Sequence, residues 1–158
     1  MFKKILYPTD FSENAIKAYE YVKKLKEAGT EEVIIIHIYD KKKINALWEI
    51  REMIDLEPVN LEEKKVIEKL LHETCGKLKK TEKELRDFGF KVKLIVKEGD
   101  PATEIIKTAE EENVSLIVVG EKGENAIEHL FLGATSVKIV RDSKVPVLVV
   151  KYGGQNEH

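Results

Sequence analysis

The residues best placed to do chemistry lie in Gly120-Glu-Lys-Gly123 and, nine residues later, in Gly133-Ala-Thr-Ser136. The first group begins where the apolar run Ser115-Leu-Ile-Val-Val119 stops, so its glycines fall at the end of an expected strand. Glycine has no Cβ and tolerates positive φ. Successive backbone N–H groups can therefore converge on an anion, and a helix beginning at Gly133 adds its positive end. The chemistry expected is a phosphate cradle. The same spacing also suits plain turn residues between a strand and a helix, and it lacks the Gly-Lys-Ser/Thr ending of a Walker loop.

A second polar strand end is Pro8-Thr9-Asp10, after the apolar Ile5-Leu-Tyr7. Asp10 has two readings: a turn or cap residue working with Ser12, or a contact to a nucleotide or its metal. His37 lies inside an apolar strand and is expected as a hydrogen-bonded core histidine. His72 and His129 have no second ligand at metal-binding spacing, so no metal site built from protein alone is expected. Cys75 falls on the apolar face of an expected helix, where it should be buried. Asp10 and Lys122 are the evident candidates for acid–base or charge-stabilising work in these motifs. No convincing triad accompanies them, and no catalytic residue is assigned.

Five apolar runs rich in β-branched residues must position these groups: Lys4–Tyr7, Val33–Ile38, Val92–Val96, Leu116–Val119 and Val145–Val150. Four are nearly continuous, as strands covered on both faces are. The alternation of Val92–Val96 predicts an edge. Between the runs lie helical patterns. Ser12 caps the first, which carries Ala15, Ala18, Tyr19, Val22 and Leu25 at helical spacing and stops at Gly29. Asn60-Leu-Glu-Glu63 has the form of a capping box and opens a long second helix, whose inward apolar face is expected to run from Ile67 through Leu78 and Leu85 to Phe88. Asp100-Pro101 supplies cap and first turn of a third, and a short fourth follows Gly133. The segment 40–60 contains Lys41-Lys-Lys43, then Ile44, Leu47, Trp48, Ile50 and Met53. It is read as an inserted helix or lid.

Alternating strands and helices predict a single doubly wound α/β domain over residues 1–152, with helices on both faces of a five-stranded parallel sheet of order 3-2-1-4-5. Residues 153–158 are read as a disordered tail. In such a sheet the chain changes direction between strands one and four, and ligands bind outside the carboxyl ends at that point. Those ends carry Thr9-Asp10 and Gly120-x2-Gly123, so the two polar strand ends face one crevice.

At 158 residues the chain fits one core. With 27 basic and 29 acidic residues the charges nearly cancel, which leaves no net field to draw nucleic acid or anionic lipid. No run approaches the roughly 18 apolar residues of a membrane span. The lone Cys75 precludes an internal disulfide, and a cytoplasmic location is expected.

Tyr7-Pro-Thr-Asp-Phe-Ser12, Val33-Ile-Ile-Ile-His-Ile38, Gly120-x2-Gly123-x9-Gly133 and Val145-Pro-Val-Leu-Val-Val150, in this order, resemble the universal stress protein family in its ATP-binding branch. The resemblance spans the chain apart from 40–60 and the tail. It implies a homodimer joined through Val145–Val150, binding ATP with Mg²⁺ at the phosphates and acting in regulation or stress response. It also implies nucleotide contacts from Pro8, Thr9, Asp10, Ile38, Val119, Gly120, Gly123, Gly133, Ala134, Thr135 and Ser136. An enzyme is not expected, beyond slow ATP hydrolysis. A dimeric interaction protein without nucleotide is the alternative. Two departures bear on that choice. Ala134 stands where the family usually has Ser or Thr, with Thr135 or Ser136 as substitutes for the hydroxyl. Glu121 puts a carboxylate between the first glycines; about 5 Å from a phosphate it would cost on the order of 3 kcal/mol before screening, an effect Lys122 could offset.

Overall fold

A computed structural model describes residues 1–39, 61–122 and 133–151, with backbone alone for 61–71. The elements run β1 (Lys4–Pro8), α1 (Glu13–Lys24), β2 (Glu32–Tyr39), α2 (Leu61–Asp87), β3 (Lys91–Glu98), α3 (Pro101–Glu111), β4 (Leu116–Gly120), α4 (Ala134–Asp142) and β5 (Val147–Val150). The strands pair in parallel in the order β3-β2-β1-β4-β5, as the sequence predicts, with β3 at an edge. Residue 123, the segment 40–60 read as an insertion and the expected tail lie outside the described residues.

The near-continuous apolar runs serve two cores. Ile5, Tyr7, Val33, Ile35, Leu116 and Val118 pack on the face covered by α1 and α2. Their alternate neighbours Leu6, Ile34, Ile36, Ile117 and Val119 pack on the face covered by α3 and α4. Each fully buried Ile or Leu contributes roughly 1.5 to 3 kcal/mol.

Local signals place the helices over these faces. Ser12 Oγ accepts the Ala15 N–H at 3.2 Å, with Glu13 in the first turn of α1 and Lys23 and Lys24 in the last. Asp100 caps α3 by accepting the Thr103 N–H at 3.1 Å, and Lys138 of α4 reaches the same carboxylate at 3.3 Å. These contacts, those with Thr103 first, hold the Asp100 carboxyl below its usual range.

Three helical segments end in one way. The N–H groups of Thr30, Phe90 and Val114 reach back to the carbonyls of Leu25, Leu85 and Ala109, with Gly29, Gly89 and Asn113 at positive φ between. Only the Gly29 stop is anticipated above. At the same rim Lys3 O accepts from both Glu31 and Glu32, Lys91 N–H reaches Glu31 O, and Ser115 N–H reaches Lys4 O at 2.8 Å.

Three expectations are corrected. β5 begins at Val147, not Val145. Pro146 offers no N–H to the ladder, although its carbonyl accepts from Ile117 at 2.9 Å, and the Val145 N–H is taken by Ser143 Oγ. Cys75 is exposed, and Phe88 is 50% exposed although its ring stacks on Phe90. The long helix runs along β3 and β2 and buries Leu78 and Leu85, seven residues apart. Its contact stripe is too narrow to include the residues flanking them.

Candidate functional site

The carboxyl ends of β1 and β4 are neighbours in the sheet. Beyond β1 the chain is fixed step by step. Thr9 N–H continues the ladder to Ile36 O at 2.9 Å, Thr9 Oγ1 accepts the Phe11 N–H, and Asp10 Oδ1 accepts the Ser12 N–H at 2.9 Å. Thr9 is buried and Asp10 exposed. Asp10 therefore fills the turn role with Ser12 while presenting its carboxylate at the rim. Phe11 sits at φ 61, a left-handed conformation that costs a non-glycine residue about 1 to 2 kcal/mol.

His37 is half-buried, and its Nδ1 lies 2.9 Å from Thr9 O. A carbonyl only accepts, so Nδ1 carries the proton in this bond. The Phe11 and His37 rings are 5.6 Å apart, and the Lys77 ammonium of α2 stands 5.5 Å from the Phe11 ring centre. The expectation of a hydrogen-bonded histidine is met.

At the end of β4, Gly120 lies against α1: a Cβ there would stand 2.7 Å from the Asn14 carbonyl oxygen. Glu121 N–H pairs with Val150 O at 3.1 Å, and Glu121 O accepts from Gly133 N–H at 2.7 Å. The Glu121 carboxylate is mostly enclosed and lies 3.7 Å from the Lys151 ammonium. Gly133 is the N-cap of α4 and has no side chain to cap it. The N–H groups of Ala134, Thr135 and Ser136 are thus the orphan donors of that first turn. Ser136 Oγ donates to Gly120 O at 2.8 Å, so its proton is spent on β4. Ala134 is exposed and Thr135 half-buried.

Pro8, Ile38 and Val119 share a sheet face by strand alternation. Ile38 and Val119 pack with the core under α3 and α4, so this apolar wall stands on the same side as the start of α4. The structure brings Pro8, Thr9, Asp10, Ile38, Val119, Gly120 and Gly133 to Ser136 to one rim; Gly123 lies outside the described residues. Sequence reasoning passed over Asn14, whose Oδ1 is buried with no partner among the described residues, and the Lys77–Phe11 contact. Neither residue belongs to a recognisable motif, so nothing in the one-dimensional pattern marks it. Among the described residues no three His, Cys, Asp or Glu side chains are grouped to hold a metal, and no helix is long and apolar enough to cross a membrane.

A parallel sheet wound in both directions from β1, with a polar rim at the reversal, defines the doubly wound α/β class. Within that class the chain belongs to the universal stress protein family, whose model matches residues 1–151. It is 39% identical over 155 residues to universal stress protein MJ0577 of Methanocaldococcus jannaschii, covering 96% of each chain. The solved structure of MJ0577 superposes with a TM-score of 0.81 over 98% of this chain and 99% of that one. A universal stress protein in complex with cAMP (TM-score 0.61, 19% identity, 95% and 97% covered) and one from Arabidopsis thaliana with AMP bound (0.60, 16%, 94% and 91%) share the fold.

Proposed function

We propose that this protein is an ATP-binding regulatory homodimer whose single domain, residues 1–152, holds the nucleotide at the β1/β4 rim. The observation that carries the reading is the meeting there of three kinds of group. The uncapped first turn of α4 offers N–H donors to phosphate, the half-buried Pro8 and Ile38 offer an apolar wall to a base, and Asp10 offers an exposed carboxylate to a ribose or a metal. Adenine nucleotides in two proteins of this fold agree with it. Mg²⁺ would enter with the phosphates and screen their charge, with Asp10 as the acidic group nearest that role.

The regulatory reading rests on what surrounds the cradle. Phosphate donors are present, whereas no residue pair described here would activate a water. Turnover near the usual enzyme median of about 10 per second, lost in Asp10→Asn, would overturn it.

Calorimetric titration with Mg-ATP tests binding. The missing hydroxyl at Ala134 removes a charge-assisted hydrogen bond worth roughly 1.5 to 3 kcal/mol, so Ala134→Ser is expected to tighten binding at least tenfold. Glu121→Ser is expected to tighten it less, because Lys151 already offsets part of that charge. An interaction protein without nucleotide would show no heat in any of the three.

A further inference from the structure

We propose that His37 is a positioning residue for Asp10, holding the Thr9–Ser12 turn from its two flanks; its consequence for affinity rests on the nucleotide reading above. Asp10 is a single residue between two points that His37 touches. On one side the imidazole Nδ1–H is bonded to the Thr9 carbonyl at 2.9 Å, and on the other the ring lies 5.6 Å from Phe11.

The turn needs such support. Thr9 N–H and Oγ1 are bonded to Ile36 O and Phe11 N–H, which fixes where the strand ends. The next peptide must then swing into the left-handed Phe11, a conformation that persists only where its surroundings determine it. The imidazole supplies that determination from the neighbouring strand, and Lys77, over the Phe11 ring, adds a contact from α2. Once Phe11 is placed, the Ser12 N–H meets Asp10 Oδ1, which sets the carboxylate. The order of dependence is His37, then Thr9 O and Phe11, then Asp10. His37 itself lies on the sheet face opposite the Pro8, Ile38 and Val119 wall, because its neighbours Ile36 and Ile38 belong to that wall's side. Its action on a ligand is therefore through the turn.

Asn has an amide nitrogen the same number of bonds from Cβ as imidazole Nδ1, so His37→Asn can keep the donor while His37→Leu cannot. The test measures Mg-ATP dissociation constants for wild type, His37→Leu, His37→Asn, Asp10→Ala and Asp10→Ala/His37→Leu, with thermal midpoints alongside. A positioning role requires that His37→Leu weaken binding at least tenfold, that His37→Asn recover most of the loss, and that the double variant bind no worse than Asp10→Ala. Unchanged affinity in His37→Leu, or losses that add in the double variant, would overturn it. If wild type binds no ATP, the nucleotide reading fails, and amide exchange in the turn decides the positioning role. Faster exchange at Phe11 and Ser12 in His37→Leu than in His37→Asn upholds it, and equal rates overturn it.

Discussion

Gly120 and Asn14 are in backbone contact: the missing Cβ of Gly120 leaves the space into which the Asn14 carbonyl, in the first turn of α1, is packed. A substituent there would meet the Asn14 oxygen at 2.7 Å and its carbonyl carbon at 2.8 Å. The first glycine of the motif is thus demanded by packing between α1 and β4, whatever occupies the rim.

Gly120→Ala is expected to destabilise the fold by about 1 to 3 kcal/mol, because the clash is with main chain that no rotamer change relieves. In a chain of this length each kcal/mol lowers the midpoint by roughly 2 to 4 °C, which calorimetric melting without nucleotide reads directly. An unchanged midpoint would mean that α1 shifts freely on β4.

Burial lifts the Tyr7 phenol from its ordinary 10.0 to about 12, with the ring enclosed and the hydroxyl donating to Ala15 O at 2.6 Å. The unfolded phenol ionises near 10 and the folded one near 12. This contribution to stability is therefore intact below pH 10 and lost as pH rises from 10 to 12, by about 2 to 3 kcal/mol in all. Tyr7→Phe is expected to be less stable at about pH 9 yet to lose less stability on going to about pH 11.5, as urea midpoints at the two values would show. Equal losses in the two proteins would place the alkaline sensitivity elsewhere.

The carbonyls of Pro146 and Val150 accept from Ile117 of β4 and from Glu121 just beyond its end, so by alternation the backbone groups of Val147 and Val149 point away from β4 along the outer edge. If the homodimer pairs through this edge, Val149→Pro removes an N–H needed by the partner and none needed by β4. Light scattering is expected to show wild type as a dimer and the variant as a monomer at micromolar concentration, with unchanged circular dichroism. A dimeric variant would move the interface off β5.

The sheet was legible because its signals are redundant. Val33–Ile36 can be apolar throughout only if both faces are covered, and the alternation in Val92–Val96 marks a strand with one face less protected. Ser12 and Asp100 announce their helices by type and position alone. Cys75 and Phe88 misled because helical spacing gives the direction of an apolar face but not its width; that width depends on how far α2 overhangs β3. The rim residues were legible as a set, yet their partners were not. That Ser136 spends its hydroxyl on Gly120 O, or that Gly133 N–H turns to Glu121 O, depends on where β4 ends relative to α4, a relation between elements that no local pattern encodes.

The three matching helix exits at Gly29, Gly89 and Asn113 all deliver the chain to the amino ends of β2, β3 and β4. Each is closed by its own backbone bonds within a few residues, so an added residue there would break a bond before it lengthened a loop. The opposite rim carries instead the polar ends of β1 and β4 and the first turn of α4. The molecule is built like a hand held at the wrist: length and chemistry can change at the fingertips while the strands stay in register, and variation among proteins of this architecture has one side of the sheet on which to accumulate.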